Sequence, residues 1–433
     1  MRTMKHSGIE WLGEIPEKWV TKRLKYIGEV VLGKMLCSTN PGDYFYKPYL
    51  KSKNIQWLKV DISSVDEMWF SINELELYRL KKGDLVLSEG GEVGKTCLWN
   101  GELGECYIQN SAHKVTINKD NNNKYYLYLF YVYGATGGFN SIVRAISIAH
   151  LTKEKLANVL CPSPSIEEQN AIINFLDEKC GQIDTIINGE EKFINELKEY
   201  KKSIIQKTVT KGLSNAPLKD SNIEWIGKIP ENWEVRKLKY SGSARNGLTY
   251  SPADMTGEGI LVLRSSNIQD GSLSFNDNVF VNMQIPEELI LQENDLLICS
   301  RNGSRELIGK CALIDGKTAG NTFGAFMCIF RSQYNRFIYY VFQSNLFTFY
   351  LGNYLTATVN QLTISNLNNM EIPITLDLEE QKAIVNYLDE KCGQIDSLIK
   401  IKQKKISELK EYKKSLIYEY VTGKKQPPLK DKI

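Results

Sequence analysis

Between residues 166 and 210 apolar side chains recur at helical spacing, interrupted by Gly181 and Gly189 but by no proline. Phe193, Leu197, Tyr200 and Ile204 step by 4, 3 and 4, with Ile186 one heptad before Phe193, the alternation of a coiled-coil seam. A looser stripe, Ile395, Ile399, Ile406, Leu409 and Leu416, marks a second such stretch. The spacing predicts a short helix over 168–179, then a long one over about 184–210, and the same pair in the second stretch. Charged residues in 196–202 and 408–414 supply i,i+4 pairs on the solvated faces. Elsewhere, short β-rich runs bounded by Gly, Asn and Asp occupy 84–88, 113–117, 295–299 and 326–330, and aromatic helix candidates cover 125–133 and 337–349. Segments 27–164 and 241–373 therefore each read as a compact α/β domain.

The two helical stretches are copies. Residues 167–203 recur as 379–415 with 26 of 37 positions identical, and 9–26 recur as 223–240 with 11 of 18 identical. The offsets, 212 and 214, make each repeat a domain-sized unit. Between the matched segments only faint anchors survive, 51–55 against 264–268 and 83–87 against 294–298. A shared frame thus carries two different inserts. Residues 428–431 repeat 217–220, so the chain ends where a third copy would begin, which suggests a circular arrangement. The expected fold is α+β: two α/β domains separated by long helices packed as an antiparallel coiled coil, with pseudo-two-fold symmetry. The expected boundaries are 1–164, 165–216, 217–376 and 377–433.

A length of 433 residues suits two or three domains, and 42% hydrophobic with 24% charged residues excludes a largely disordered chain. The longest apolar stretches, 125–133 and 324–330, fall short of the ~18 to 20 residues of a membrane helix, and the first residues hold no apolar leader. A cytoplasmic protein is expected. Nine cysteines without a CxxC, beside only His6, His113 and His150, read as free buried thiols rather than a metal site. Net charge is only +3, and residues 243–373 carry eight basic against eleven acidic side chains, so any nucleic-acid contact must be local.

The pattern from Gly8 to Trp19, with Trp11, Gly13, Ile15 and Pro16 between, resembles the frame of the specificity subunits of type I restriction-modification enzymes. So does Pro164 followed by Glu168, Gln169, Leu176 and Asp177, with a variant at 376–389 that has Leu376 in place of the proline. The resemblance spans nearly the whole chain, twice. It implies two target-recognition domains, each reading one half of a split site in double-stranded DNA. It also implies helices that bind two methyltransferase subunits, with restriction subunits joining through the complex, and no catalysis by the chain itself. A methylation-only assembly is the alternative, and a stand-alone DNA-modifying enzyme the rival class. Constant frames with divergent inserts agree independently, since they fix a spacing while two recognition modules vary. About 27 residues from 184 to 210 would span about 40 Å, near one turn of DNA.

Base reading calls for loops with Arg, Lys, Asn, Gln or Ser beside glycines. After the predicted strand 295–299, Arg301 and Arg305 are candidates to grip guanine, with Asn302, Gly303 and Lys310 alongside. In the matching loop, Glu89 and Glu92 are candidates to accept from cytosine N4, Lys95 to hold phosphate, and Gly90 and Gly91 to let the backbone approach. A solvated turn is the competing reading of both loops. Lys51, Ser52, Lys53 and Asn54 match Arg264, Ser265, Ser266 and Asn267 before an apolar position, and are expected at DNA unless the asparagines only cap turns. Arg144 and His150, and Thr358, Asn360 and Gln361, lie just before the frame helices and complete the candidate contacts. No Asn-Pro-Pro-aromatic run, Walker loop or GxGxxG occurs, and the carboxylates of 177–179 and 389–391 fall within duplicated amphipathic helices. No catalytic residue, cofactor or metal is expected.

Overall fold

In the computed structural model, which describes residues 2–143, 150–354 and 360–428, the duplicated stretches form two long helices, Ile166–Lys211 and Leu378–Val421. Each is one continuous helix, not the short and long pair that the spacing predicted. Gly181 and Gly189 each cost a helix roughly 1 kcal/mol relative to alanine. That cost is offset by the burial of Ile172, Ile173, Leu176, Cys180, Ile183 and Ile187 along one side of the first helix. Its 46 residues span about 69 Å rather than the ~40 Å expected, so the match to one DNA turn does not hold.

The chain divides into two compact units, Met1–Glu190 with Lys404–Ile433, and Glu191–Gln403, and each contains a portion of both helices. Within the first, Asp184 meets Lys413 and Glu190 meets Lys405, each at 2.7 Å. Within the second, Lys201 meets Asp396 at 2.7 Å. Numbers rise on one helix as they fall on the other, the antiparallel sense expected. Four of the five residues expected in the seam of the second helix, Ile395, Ile399, Ile406 and Leu416, are buried, and Leu409 is half-buried. The seam of the first is out of phase with expectation: Ile183, Ile187, Glu190 and Ile194 are buried, whereas Ile186, Phe193 and Tyr200 are 44, 40 and 59% exposed. The buried Glu190 breaks the apolar pattern and so masks a regular 4, 3, 4 spacing.

In the first unit an antiparallel sheet orders Thr96–Leu98, Leu85–Ser88, Ala112–Ile117 and Gly28–Leu32. A second sheet joins Tyr107–Ile108, Phe45–Leu50 and Asp66–Phe70. Helix Asn123–Ala135 buries eight of its side chains, five of them aromatic, and so gives the domain its core. Strands Val20–Arg23 and Leu160–Ser163 pair antiparallel, closing the insert where it leaves the frame. The second unit repeats the plan: Ser243–Asn246, Met327–Arg331, Leu296–Cys299 and Cys311–Leu313 form the sheet, and Glu234–Lys237 pairs with Glu371–Ile374. Here the aromatic helix is split into Asn335–Phe342 and Asn345–Tyr354, correcting the single helix expected over 337–349. The break falls at buried Ser344, whose hydroxyl donates to the Val341 carbonyl at 2.6 Å and accepts from the Leu346 N–H at 3.3 Å, competing with the helical ladder.

Frame and insert are joined the same way in both units. Trp19, 1% exposed, donates its indole N–H to Glu168 at 2.9 Å, and Trp233, also 1% exposed, donates to Glu380 at 2.9 Å. Asp177 takes Lys124 at 2.5 Å and the Tyr128 hydroxyl at 3.1 Å; Asp389 takes Arg336 and the Tyr340 hydroxyl, each at 2.5 Å. These carboxylates therefore fasten each aromatic helix to its frame helix. The end of the second helix meets the first segment within the first unit at Gly423, whose backbone at φ +72° sits so near Pro16 and Trp19 that a Cβ would come within 2.5 Å of the proline. The Tyr125 hydroxyl donates to the Val421 carbonyl at 2.9 Å beside it. Eight of the nine cysteines are buried free thiols, and burial pushes Cys97 up to about 12. Among the described residues no helix is long and apolar enough to cross a membrane.

Because the two tryptophans have the same burial and equivalent partners, Glu168 and Glu380, Trp19→Ala and Trp233→Ala are expected to cost similar amounts, about 3–5 kcal/mol each. Urea unfolding of the two variants checks this; a loss below about 1 kcal/mol in either would show that its tryptophan does not hold frame and insert together.

Candidate nucleic-acid interface

In the first unit the strand Leu85–Ser88 runs into a loop that returns at Lys95, whose carbonyl accepts from the Ser88 N–H at 2.8 Å. Gly91 and Gly94, at φ +72° and +78°, make the turn. Three further segments converge on this loop. Ser52 donates its N–H to Ser111 Oγ at 3.0 Å and its hydroxyl to the Ser111 carbonyl at 2.7 Å, and lies 3.2 Å from the Ser88 hydroxyl. The Glu89 N–H donates to the same Ser111 carbonyl at 2.9 Å, and the Leu151 N–H to the Glu89 carbonyl at 2.9 Å. His150 thereby stands beside Gly90, where a Cβ would lie 3.5 Å from its Nδ1.

The second unit repeats these bonds with other side chains. The Cys299 N–H donates to the Lys310 carbonyl at 2.8 Å, Ser300 and Arg301 N–H both donate to the Phe326 carbonyl at 3.0 Å, and Leu362 N–H to the Ser300 carbonyl at 2.8 Å. Asn302 Nδ2 donates to Ser265 Oγ at 3.2 Å, Asn360 Nδ2 to the Gly303 carbonyl at 3.5 Å, and Arg301 forms an isolated antiparallel bridge with Gln361. Glu89 thus corresponds to Ser300, Gly90 to Arg301, Ser111 to Phe326, Lys95 to Lys310 and His150 to Gln361. The expected site residues that are described come together, unit by unit. Arg144 and Thr358 lie outside the described residues.

Two expectations are corrected. Asn54 and Asn267 are 2% and 0% exposed and do not face a ligand. Asn54 Nδ2 donates to the Asp61 and Ser64 carbonyls at 2.9 Å, and its Oδ1 accepts from Lys51 N–H at 3.1 Å. Asn267 repeats this with the Ser274 and Asp277 carbonyls and Arg264 N–H. Each asparagine ties a 3₁₀ turn, Ser52–Asn54 or Ser265–Asn267, to a neighbouring loop. The basic residue before each turn is also committed, Lys51 to Asp66 and Arg264 to Asp277, and Lys53 within the first turn pairs with Asp66 as well. Ser266 is held with its hydroxyl enclosed.

The exposed ends differ in charge. Hydrogen bonding to Lys95, at 2.8 Å, holds the Glu92 carboxyl below its usual range, and the Trp57 indole adds a bond at 2.6 Å. Burial raises Glu89, partly countered by the charge of His150. Arg301, Gly303 and Arg305 are exposed, and the Arg301 guanidinium lies over the Phe326 ring, 5.5 Å from its centroid. Phe326 itself is 61% exposed. Sequence reasoning placed it in the strand 326–330, and nothing in that apolar run separates it from the buried residues that follow. Among the described residues no group of three or more His, Cys, Asp or Glu could hold a metal.

Residues 16–199 and 230–423 each match the family model of the type I restriction modification DNA specificity domain. The chain belongs to that family. It is 28% identical over 430 residues to the type I restriction enzyme MjaVIII specificity subunit of Methanocaldococcus jannaschii, covering 95% of this chain and 93% of that one. To the EcoKI specificity subunit of Escherichia coli it is 27% identical over 208 residues, 46% of this chain and 44% of that one. A chain solved in work on complex assembly and conformational transition of the type I R-M system superposes with a TM-score of 0.68, covering 94% of this chain and 98% of its own, at 15% identity, and so shares the fold. One DNA specificity domain accordingly carries each cluster of loops.

The buried asparagines and the exposed arginine of these domains should separate in a stability assay. Asn267→Ala removes a buried donor and acceptor together and is expected to cost about 1–3 kcal/mol. Arg301→Ala is expected to stay within about 0.5 kcal/mol of the wild type. Urea unfolding monitored by tryptophan fluorescence measures both.

Proposed function

We propose that the chain is the non-catalytic DNA-reading subunit of a type I restriction-modification complex, each insert recognising one half of a split, asymmetric site. The observation that carries this reading is one backbone scaffold used twice with different residues at equivalent positions: Gly90, Ser111 and His150 in one unit, Arg301, Phe326 and Gln361 in the other, of which His150, Arg301 and Phe326 are exposed. A device for two unlike half-sites needs that combination. In this reading exposed Arg301 and Arg305 grip guanine edges through O6 and N7, while Lys95 and Lys310, at equivalent positions, suit phosphate. The relatives are named as specificity subunits, which supports assembly with two methyltransferase subunits along the frame helices and with restriction subunits through them. Such a complex works on cytoplasmic DNA.

Exchange of residues 27–164 for the corresponding insert of another family member is expected to change one half-site and leave the other intact, as read from methylated positions in a host that also expresses the methyltransferase subunit. A change in both halves would refute the modular reading. Methyl transfer by the purified chain alone would refute the non-catalytic one. In the same assay Arg301→Ala should lose about 1–3 kcal/mol of discrimination at one base pair of the second half-site. Lys95→Ala should lower efficiency without changing the sequence methylated.

A further inference from the structure

Phe326 stands just before the strand Met327–Arg331. The next residue, Met327, is 1% exposed, whereas the Phe326 ring is 61% exposed and contributes little to the core. Its backbone is nonetheless fixed more firmly than an idle surface residue requires. One carbonyl accepts the Ser300 N–H, the Arg301 N–H and the Ser300 hydroxyl, all at 3.0 Å. The guanidinium of Arg301 lies over the ring, 5.5 Å from its centroid, and Arg301 is held in turn by its bridge to Gln361. An arginine and an apolar ring are thus presented to solvent as one pair on a rigid support. At the equivalent backbone positions the first unit has Gly90 and Ser111, so the pair belongs to one recognition surface and not to the shared frame.

We propose that Phe326 is a specificity-determining residue of the second half-site, packing its ring edge against the C5 methyl of a thymine next to the guanine held by Arg301. The thymine methyl is the one apolar group among the base edges of the major groove, and an apolar contact there complements the two acceptors of guanine that an arginine fork fits. Cation–π contact orients the guanidinium while leaving its outer N–H groups for the base. The inference rests on the recognition reading above, and it commits the second half-site to a guanine–thymine neighbourhood.

The test uses the complex of the full chain with its methyltransferase subunit. The methylated motif is read first, and then each thymine of the second half-site is replaced by uracil, which removes only the methyl group. Wild-type complex is expected to lose about fourfold in affinity at one thymine, the effect of burying one methyl. Phe326→Ala should bind the thymine and uracil duplexes equally and relax the motif at that pair, with the first half-site unchanged; Phe326→Leu, which keeps an apolar side chain, should retain part of the preference. Absence of any thymine from the second half-site, no uracil effect in the wild type, or a Phe326→Ala motif identical to the wild type would each overturn the proposal. If wild-type complex methylates no defined motif, the recognition reading itself fails, and this inference with it.

Discussion

The hydrogen bond from a buried tryptophan to the first turn of a frame helix, Trp19 to Glu168 and Trp233 to Glu380, is the contact on which the architecture turns. Each insert leaves the frame just after its tryptophan and re-enters just before its glutamate, so one bond fixes both ends of a domain of well over a hundred residues. The antiparallel strand pair beside it, Val20–Arg23 with Leu160–Ser163 or Glu234–Lys237 with Glu371–Ile374, needs that closure to keep its register. A large indole at 1% exposure contributes apolar burial, and its one polar atom is satisfied by a carboxylate, so the junction resists both rotation and opening. Asp177 and Asp389 then brace the aromatic helix of each insert against the same frame helix, a second attachment about two and a half turns further along.

With the domain ends fixed, the loops can differ without disturbing the fold. The groups that hold them are the same in both units, the buried side chains of Asn54 and Asn267 and the backbone carbonyls of Lys95 and Lys310. The bonds among the loops run largely through backbone atoms, which every residue supplies except for proline's missing donor. Exposed positions such as His150 and Arg301 can therefore exchange one residue for another with little effect on stability, and a recognition surface can drift while its support does not.

What the sequence makes legible follows from the same division. The repeat, the two helical stretches and the four strand runs are all written in apolar spacing and identity, because they depend on burial. The seam of the first helix is hidden in the sequence because Glu190, a charged residue, occupies a buried position through its bond to Lys405, a partner more than two hundred residues away. The break at Ser344 and the inward turn of Asn54 depend on hydrogen bonds that spacing does not record. Phe326 escaped notice for the opposite reason: an apolar residue at the edge of an apolar run gives no sign that it faces water.

The charge distribution in the second unit follows a related economy. Of the six arginines between 243 and 373, Arg264 pairs with Asp277, Arg331 with Asp295 and Arg336 with Asp389, so half of them neutralise carboxylates of their own unit. Arg331, bound to a carboxylate that is 1% exposed, braces the strand that carries Phe326, while Arg264 secures the turn against which Asn302 rests. Exposed Arg301 and Arg305 are then set in a segment with more acidic than basic residues. Phosphate attraction over a distance is weak for such a surface, since the ion atmosphere of DNA is displaced only by charges that are not already balanced. On the proposed reading, contact energy is correspondingly concentrated in a few directed bonds, and a wrong base pair under a single arginine would remove a large share of it. The same arrangement that would make this insert a poor general DNA binder would make it a discriminating one.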